Sequence, residues 1–107
     1  MVWPRPKLLL LMPIVLWAAA GQVLAEDPRA LLHKYKCYVC HADARTKTGP
    51  AFVAVAARYR NDPKAFAALV AAVKDGAHGA GPWHMPPHPE VTDADARRMV
   101  RYILSLR

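Results

Sequence analysis

The segment Cys37-Tyr38-Val39-Cys40-His41 constrains this chain more than any other. Two thiols three residues apart, on one turn of helix, can each add to a vinyl group on neighbouring edges of one porphyrin. The imidazole that follows then lies under the metal and can bind it axially. C-x-x-C-H therefore reads as a c-type haem attachment site. The chain has two cysteines in all, so none is left for a structural disulfide. A zinc site would need four ligands, usually a second C-x-x-C or a His pair at suitable spacing. No second Cys pair exists, and the five histidines offer at most a makeshift set. A thioredoxin-like dithiol would end a strand in a βαβ pattern, and the sequence has no strand-rich segment.

Residues 1–25 read as a signal peptide rather than as part of the fold. Arg5 and Lys7 supply a positive start, Leu8 to Ala20 is an apolar run, and Val23-Leu24-Ala25 fits a small-residue cleavage site with cutting before Glu26. The alternative is an uncleaved anchor carrying the same domain. Against it, the run is shorter than the roughly 20 residues that span a bilayer, and Pro13 interrupts it. Export places the chain in an oxidising compartment, where covalent haem gives both sulfurs a permanent use.

Residues 26–107 then form one domain of 82 residues. A chain this short struggles to bury enough apolar surface and usually needs a staple, which a covalently held porphyrin provides. The formal charge of +7 drops by two, to +5, once Arg5 and Lys7 leave. A modestly basic surface suits acidic protein partners, and serves equally for solubility alone. Nothing in the chain points to nucleic acid.

The expected fold is all-α. Asp27-Pro28 opens a helix, with Asp as N-cap and Pro in the first turn. Leu31, Leu32 and Tyr35 form its apolar face, which puts the C-x-x-C-H segment at its C-terminal end. Ala42 to Pro50 is a polar loop, Ala51 to Tyr59 a short helix, and Asp62-Pro63 the cap of another that runs to Gly76 through Phe66, Leu69, Val70 and Val73. Gly76 to Val91 shows neither helical nor strand period. Structureless stretches of this length in small domains are usually functional. Thr92-Asp93-Ala94-Asp95 starts the last helix as a capping box. Ala96, Met99, Val100, Ile103 and Leu104 form its buried stripe, expected to pack on the first helix.

An electron-transfer haem usually has both axial positions filled. His41 offers one ligand. Met99 lies on the apolar stripe and reads as core filler. Met85 sits in the irregular segment before Pro86-Pro87, where prolines stiffen the chain presenting the thioether. A thioether opposite an imidazole raises the reduction potential. His84 and His88 flank Met85 and are rivals that would give a lower-potential bis-His haem. His33 and His78 are further candidates that read as surface residues. Trp83 either donates its indole N–H to a haem propionate or covers the porphyrin face.

These features resemble a known family. Asp27-Pro28, Cys37-Tyr38-Val39-Cys40-His41, Gly49-Pro50-Ala51-Phe52 with Arg58-Tyr59, Met85-Pro86-Pro87 and the closing helix Asp95 to Leu106 together make residues 27–107 similar to small bacterial class I cytochromes c. These are periplasmic monohaem proteins that donate electrons to nitrite reductase or terminal oxidases. The resemblance implies three to four helices wrapped around one haem c, with thioethers at Cys37 and Cys40 and the iron between His41 and Met85. It also implies a hydrogen bond from the His41 ring to the Pro50 carbonyl, fixing the tautomer. One departure stands out: Trp83 lies two residues before Met85, closer than the family usually places it.

The expected function is that of a soluble, monomeric electron carrier of the periplasm and not an enzyme. Lys34, Lys36, Arg45 and Lys47 lie near the haem edge in sequence and are expected to steer an acidic redox partner. Two other readings stay open. One is a gas- or peroxide-reactive haem protein, which requires Met85 to leave the iron. The other is a fixed haem subunit of a membrane redox complex.

Overall fold

A computed structural model describes residues 1–16, 25–79, 82 and 84–107. Its first helix, α1 (Pro28–Lys34), starts where the sequence places it. The Asp27 carboxylate accepts the Arg29 amide at 2.8 Å and Pro28 occupies the first turn. The helix stops earlier than expected. Lys36 adopts a left-handed conformation (φ 62°), the only non-glycine residue to do so among the described residues. The attachment segment therefore lies not on the end of α1 but on a separate 3₁₀ turn, Cys37–Val39. The left-handed residue swings the chain out of the helical path before the first cysteine.

Helix α2 spans Phe52–Tyr59, beginning one residue later than the sequence suggests. Helix α3 spans Ala65–Asp75. Asp62 does not cap α3 directly. Its carboxylate accepts the Lys64 amide at 2.9 Å, closing a turn around Pro63, and Lys64 takes the N-cap position. Gly76 ends α3 at φ +84°, and two strands of two residues follow. In antiparallel register, β1 (Ala77–His78) pairs with β2 (His84–Met85), Ala77 opposite Met85 and His78 opposite His84. Among the described residues this hairpin is the one departure from the expected all-helical architecture. Two residues are too few to show a strand period.

Helix α4, Asp93–Ser105, closes the domain and touches each of the other three or their extensions. Its expected capping box is half made. Thr92 Oγ1 accepts the Asp95 amide at 3.2 Å, but the Asp95 carboxylate accepts the Tyr35 hydroxyl at 2.6 Å instead of returning to Thr92. That bond ties the end of α1 to the start of α4. At the other end, Arg60 donates to the Leu106 carbonyl at 2.6 Å. Leu31, Leu32, Phe52, Val91, Ala96, Met99 and Ile103 form the core between these helices. Met99 is the core filler its position suggests, at 1 % exposure. Leu104 is only half-buried, beside Ile103, which carries that turn of the stripe. Removing a buried leucine such as Leu31 from such a core costs about 2–5 kcal/mol.

Residues 1–16 form no helix or strand, and Trp3 and Leu8 to Leu11 are exposed, so this part of the apolar run contributes nothing to the core. Its last residues and most of the expected cleavage triplet, Val23 and Leu24, lie outside the described residues. Among the described residues no helix is long and apolar enough to cross a membrane.

Candidate functional site

A cleft of about 510 Å³ opens between α2, α3, the 3₁₀ turn and the hairpin. Cys37, Cys40, His41, Pro50 and Met85 all line it, and so do the rival candidates His78, His84 and His88. Trp83 lies outside the described residues.

The turn that carries the thiols is closed by its own backbone. The Cys40 and His41 amides both donate to the Cys37 carbonyl, at 3.1 and 3.0 Å. Neither cysteine is in a disulfide. Burial pushes the Cys37 thiol up, with a smaller contribution from the Glu90 charge, so it stays a neutral thiol rather than a thiolate.

His41 is fixed from three sides. Its Nδ1–H donates to the Pro50 carbonyl at 2.8 Å, which leaves Nε2 as the lone-pair nitrogen for a metal. Its ring stacks on Phe52 with centroids 4.7 Å apart and planes 17° apart. Gly49 presses against its edge: a Cβ there would stand 2.4 Å from His41 Cε1. The loop between these residues is tied down in turn. The Gly49 amide donates to the Cys40 carbonyl at 2.7 Å, and the Phe52 amide to the Ala42 carbonyl at 2.9 Å. Sequence reasoning found the Pro50 bond through a family likeness but gave Phe52 and Gly49 no role. The adjacency of Gly49-Pro50 to an aromatic residue was the available signal.

Asp43 was missed altogether. Its carboxylate accepts the Tyr38 hydroxyl at 2.9 Å and the Tyr102 hydroxyl at 2.6 Å. It therefore joins the attachment turn to α4 across nearly sixty residues of chain. Burial, then the bond to Asp43, push both tyrosines above the ordinary phenol range.

The opposite wall is built from backbone constraints. Pro86 and Pro87 have no N–H, so His88 is the first residue after Met85 that can tie the chain down. Its amide is shared between the carbonyls of Val73 and Lys74, at 3.2 and 3.1 Å. Gly76 faces the Met85 carbonyl so closely that a Cβ would stand 2.7 Å from it. Successive strand residues face opposite sides. In β2, Met85 is half-buried and His84 exposed, which favours Met85 over His84 as the inward group. His78 is likewise exposed, opposite His84. His88 is half-buried, and its Nδ1 is a buried polar atom without a partner. His33 stands exposed on α1 with its ring 4.6 Å from that of Tyr38.

The donor set suits a haem. Two thiols on one turn can hold the porphyrin, an imidazole with Nδ1 already committed offers Nε2, and a thioether stands on the other wall. Nitrogen-plus-thioether ligation is an iron pattern of electron-transfer haems. The orphaned His88 Nδ1 within the cleft also fits a missing polar neighbour.

Comparison with known proteins agrees. A family model described as cytochrome c matches residues 18–107. The chain is 38% identical over 82 residues to cytochrome c-551 of Pseudomonas aeruginosa, covering 76% of this chain and 78% of that one. It is 43% identical over 79 residues to cytochrome c-551 of Allochromatium vinosum, covering 71% and 82%. The crystal structure of wild-type Nitrosomonas europaea cytochrome c552 superposes with a TM-score of 0.71 at 35% identity, over 74% of this chain and 99% of that one.

Proposed function

Since the chain belongs to the cytochrome c family, we propose that it carries single electrons through a haem c bonded to Cys37 and Cys40, with its iron held between His41 and Met85. It is an electron-transfer protein with redox protein partners, not an enzyme. The observation that carries the residue assignment is the gathering of both thiols, a tautomer-fixed imidazole and a thioether around one cleft. When bound, the haem supplies a one-electron iron couple whose potential the thioether raises.

The chain's part is to keep the ligand set unchanged between the two charge states. Pro50 fixes the His41 tautomer, Phe52 and Gly49 stop the ring from turning, and the shared His88 amide holds the Met85 segment against α3. Both ligands are neutral and both come from anchored backbone, so little need move when the charge changes. The buried apolar surroundings disfavour the extra positive charge of the oxidised state and act in the same direction as the thioether.

Val39 is 67% exposed within the attachment turn. Lys34, Lys36, Arg45 and Lys47 are exposed around it in sequence, and Lys47 also donates to the Tyr38 carbonyl at 2.7 Å. An apolar centre with a basic rim suits a weak, short-lived contact with an acidic redox partner. In this reading residues 1–25 are removed on export and the mature chain works in the periplasm as a monomer.

Export of the protein in a host with a working haem-maturation system tests the attachment. The product should be coloured and keep its pigment through acidified organic solvent. A colourless product, or one that releases its pigment, would overturn the assignment of Cys37 and Cys40.

A further inference from the structure

The hairpin carries two histidines that the electron-transfer reading leaves without a role. We propose that His78 and His84 form a two-histidine site for a divalent transition-metal cation, matched by spacing to Zn²⁺ and separate from the iron. The two residues are directly opposed in the antiparallel register, and both are exposed. Their ring centroids lie 5.2 Å apart with planes tilted by 57°.

That separation is what one shared ion requires. With Zn–N bonds of about 2.0–2.1 Å, each ring centre lies about 3.2 Å from the metal, and two imidazoles on a tetrahedral ion lie about 5.2 Å apart. The backbone pairing has already brought the rings together, so binding orders little beyond their final torsions. Both residues also border the cleft, but strand alternation sets their side chains on the hairpin face opposite to that of Met85, and their exposure leaves their nitrogens open to a different ion. Neutral imidazole suits zinc, copper and nickel and does not suit calcium or magnesium.

Among the described residues no group of three or more His, Cys, Asp or Glu side chains is placed to hold a metal ion. The site is therefore open, with water completing the coordination, and exchanges its cation readily. The consequence reaches the haem pocket through the backbone. The ion bridges β1 and β2, two strands of only two residues each, and β2 ends in Met85. Cation binding clips together the segment that presents the thioether and slows its opening.

The test uses the mature, haem-loaded ferric protein and Zn²⁺ alone, followed by calorimetry and by amide hydrogen exchange. Wild type should bind one Zn²⁺ per chain. His78→Ala and His84→Ala should each weaken binding at least tenfold, and His33→Ala should leave it unchanged. Zn²⁺ should slow exchange across the hairpin in wild type and in His33→Ala, and not in the other two variants. No saturable binding by wild type, or wild-type affinity in either hairpin variant, would overturn the site. The far-red absorption of ferric Met–iron ligation should persist in His84→Ala. Its loss there would show that His84 holds Met85 on the iron instead of serving a separate ion and would also overturn the proposal, whereas its absence from wild type with Zn²⁺ binding intact would refute the Met85 assignment alone.

Discussion

The two walls of the cleft hold their groups by different physics. On the wall formed by residues 37–59, His41 is caught between a carbonyl, an aromatic face and a glycine. The turn beneath it is moored to α4 through Asp43 and two tyrosines. On the opposite wall, among the described residues of 76–91, few side chains bond to one another. Shape there comes from a glycine at positive φ, two consecutive prolines and one shared amide. The first wall is part of the core: Phe52 belongs to the buried cluster with Leu31, Leu32 and Met99. The second is a strap laid against α3. Damage to the first should therefore cost the fold, and damage to the second should cost ligation while leaving the fold standing.

The largest effect expected from a single methyl group is at Gly49. In Gly49→Ala the new carbon meets a ring that cannot swing aside without losing both Pro50 and Phe52. The expected loss is about 1–3 kcal/mol, or roughly 5–20 °C in Tm for a domain this size, read by circular dichroism of the haem-loaded protein, with a lower yield of that form. Gly76→Ala should be milder in Tm and more visible in the spectrum. Its strain comes from a φ of 84° with ψ 170°, a region open to little besides glycine, and from the Met85 carbonyl, about 1–3 kcal/mol, and it falls on a strap that can yield without opening the core. An equal fall in Tm for both variants would erase the distinction between the walls.

A smaller effect separates the walls by pH. Tyr38 and Tyr102 are raised in the folded protein, chiefly by burial and then by Asp43. In the unfolded chain tyrosine titrates near about 10. The folded form thus holds protons that the unfolded form has lost, and stability is full below that pH and falls as pH rises toward the raised folded values. Urea midpoints measured across this alkaline range should decline in wild type and decline less in Tyr38→Phe and Tyr102→Phe. A slope unchanged by both substitutions would mean that the Asp43 bridge contributes nothing to it.

The same contrast explains what could be read in advance. Local structure was legible: Asp27-Pro28 as a helix start, Thr92 as a cap, Met99 as core. Contacts between distant residues were not. Nothing in the sequence joins Asp43 to Tyr102, or lays Phe52 on the His41 ring, because those contacts exist only once α2 and α4 have packed. The left-handed turn at Lys36 was hidden because lysine gives no sign of it, so the cysteines were expected on α1. The Asp62-Pro63 cap was misplaced by two residues, since an acidic residue before proline caps a β-turn as readily as a helix. The hairpin escaped because four strand residues carry no period.

The ferric visible spectrum, in the wild type and in Met85→Ala, tests the central assignment most directly. The account predicts a weak far-red band of Met–iron ligation in the wild type. In the variant the band should disappear while the pigment stays attached and the helices stay folded. A wild type without that band, or a variant that keeps it, would contradict the placing of Met85 on the iron.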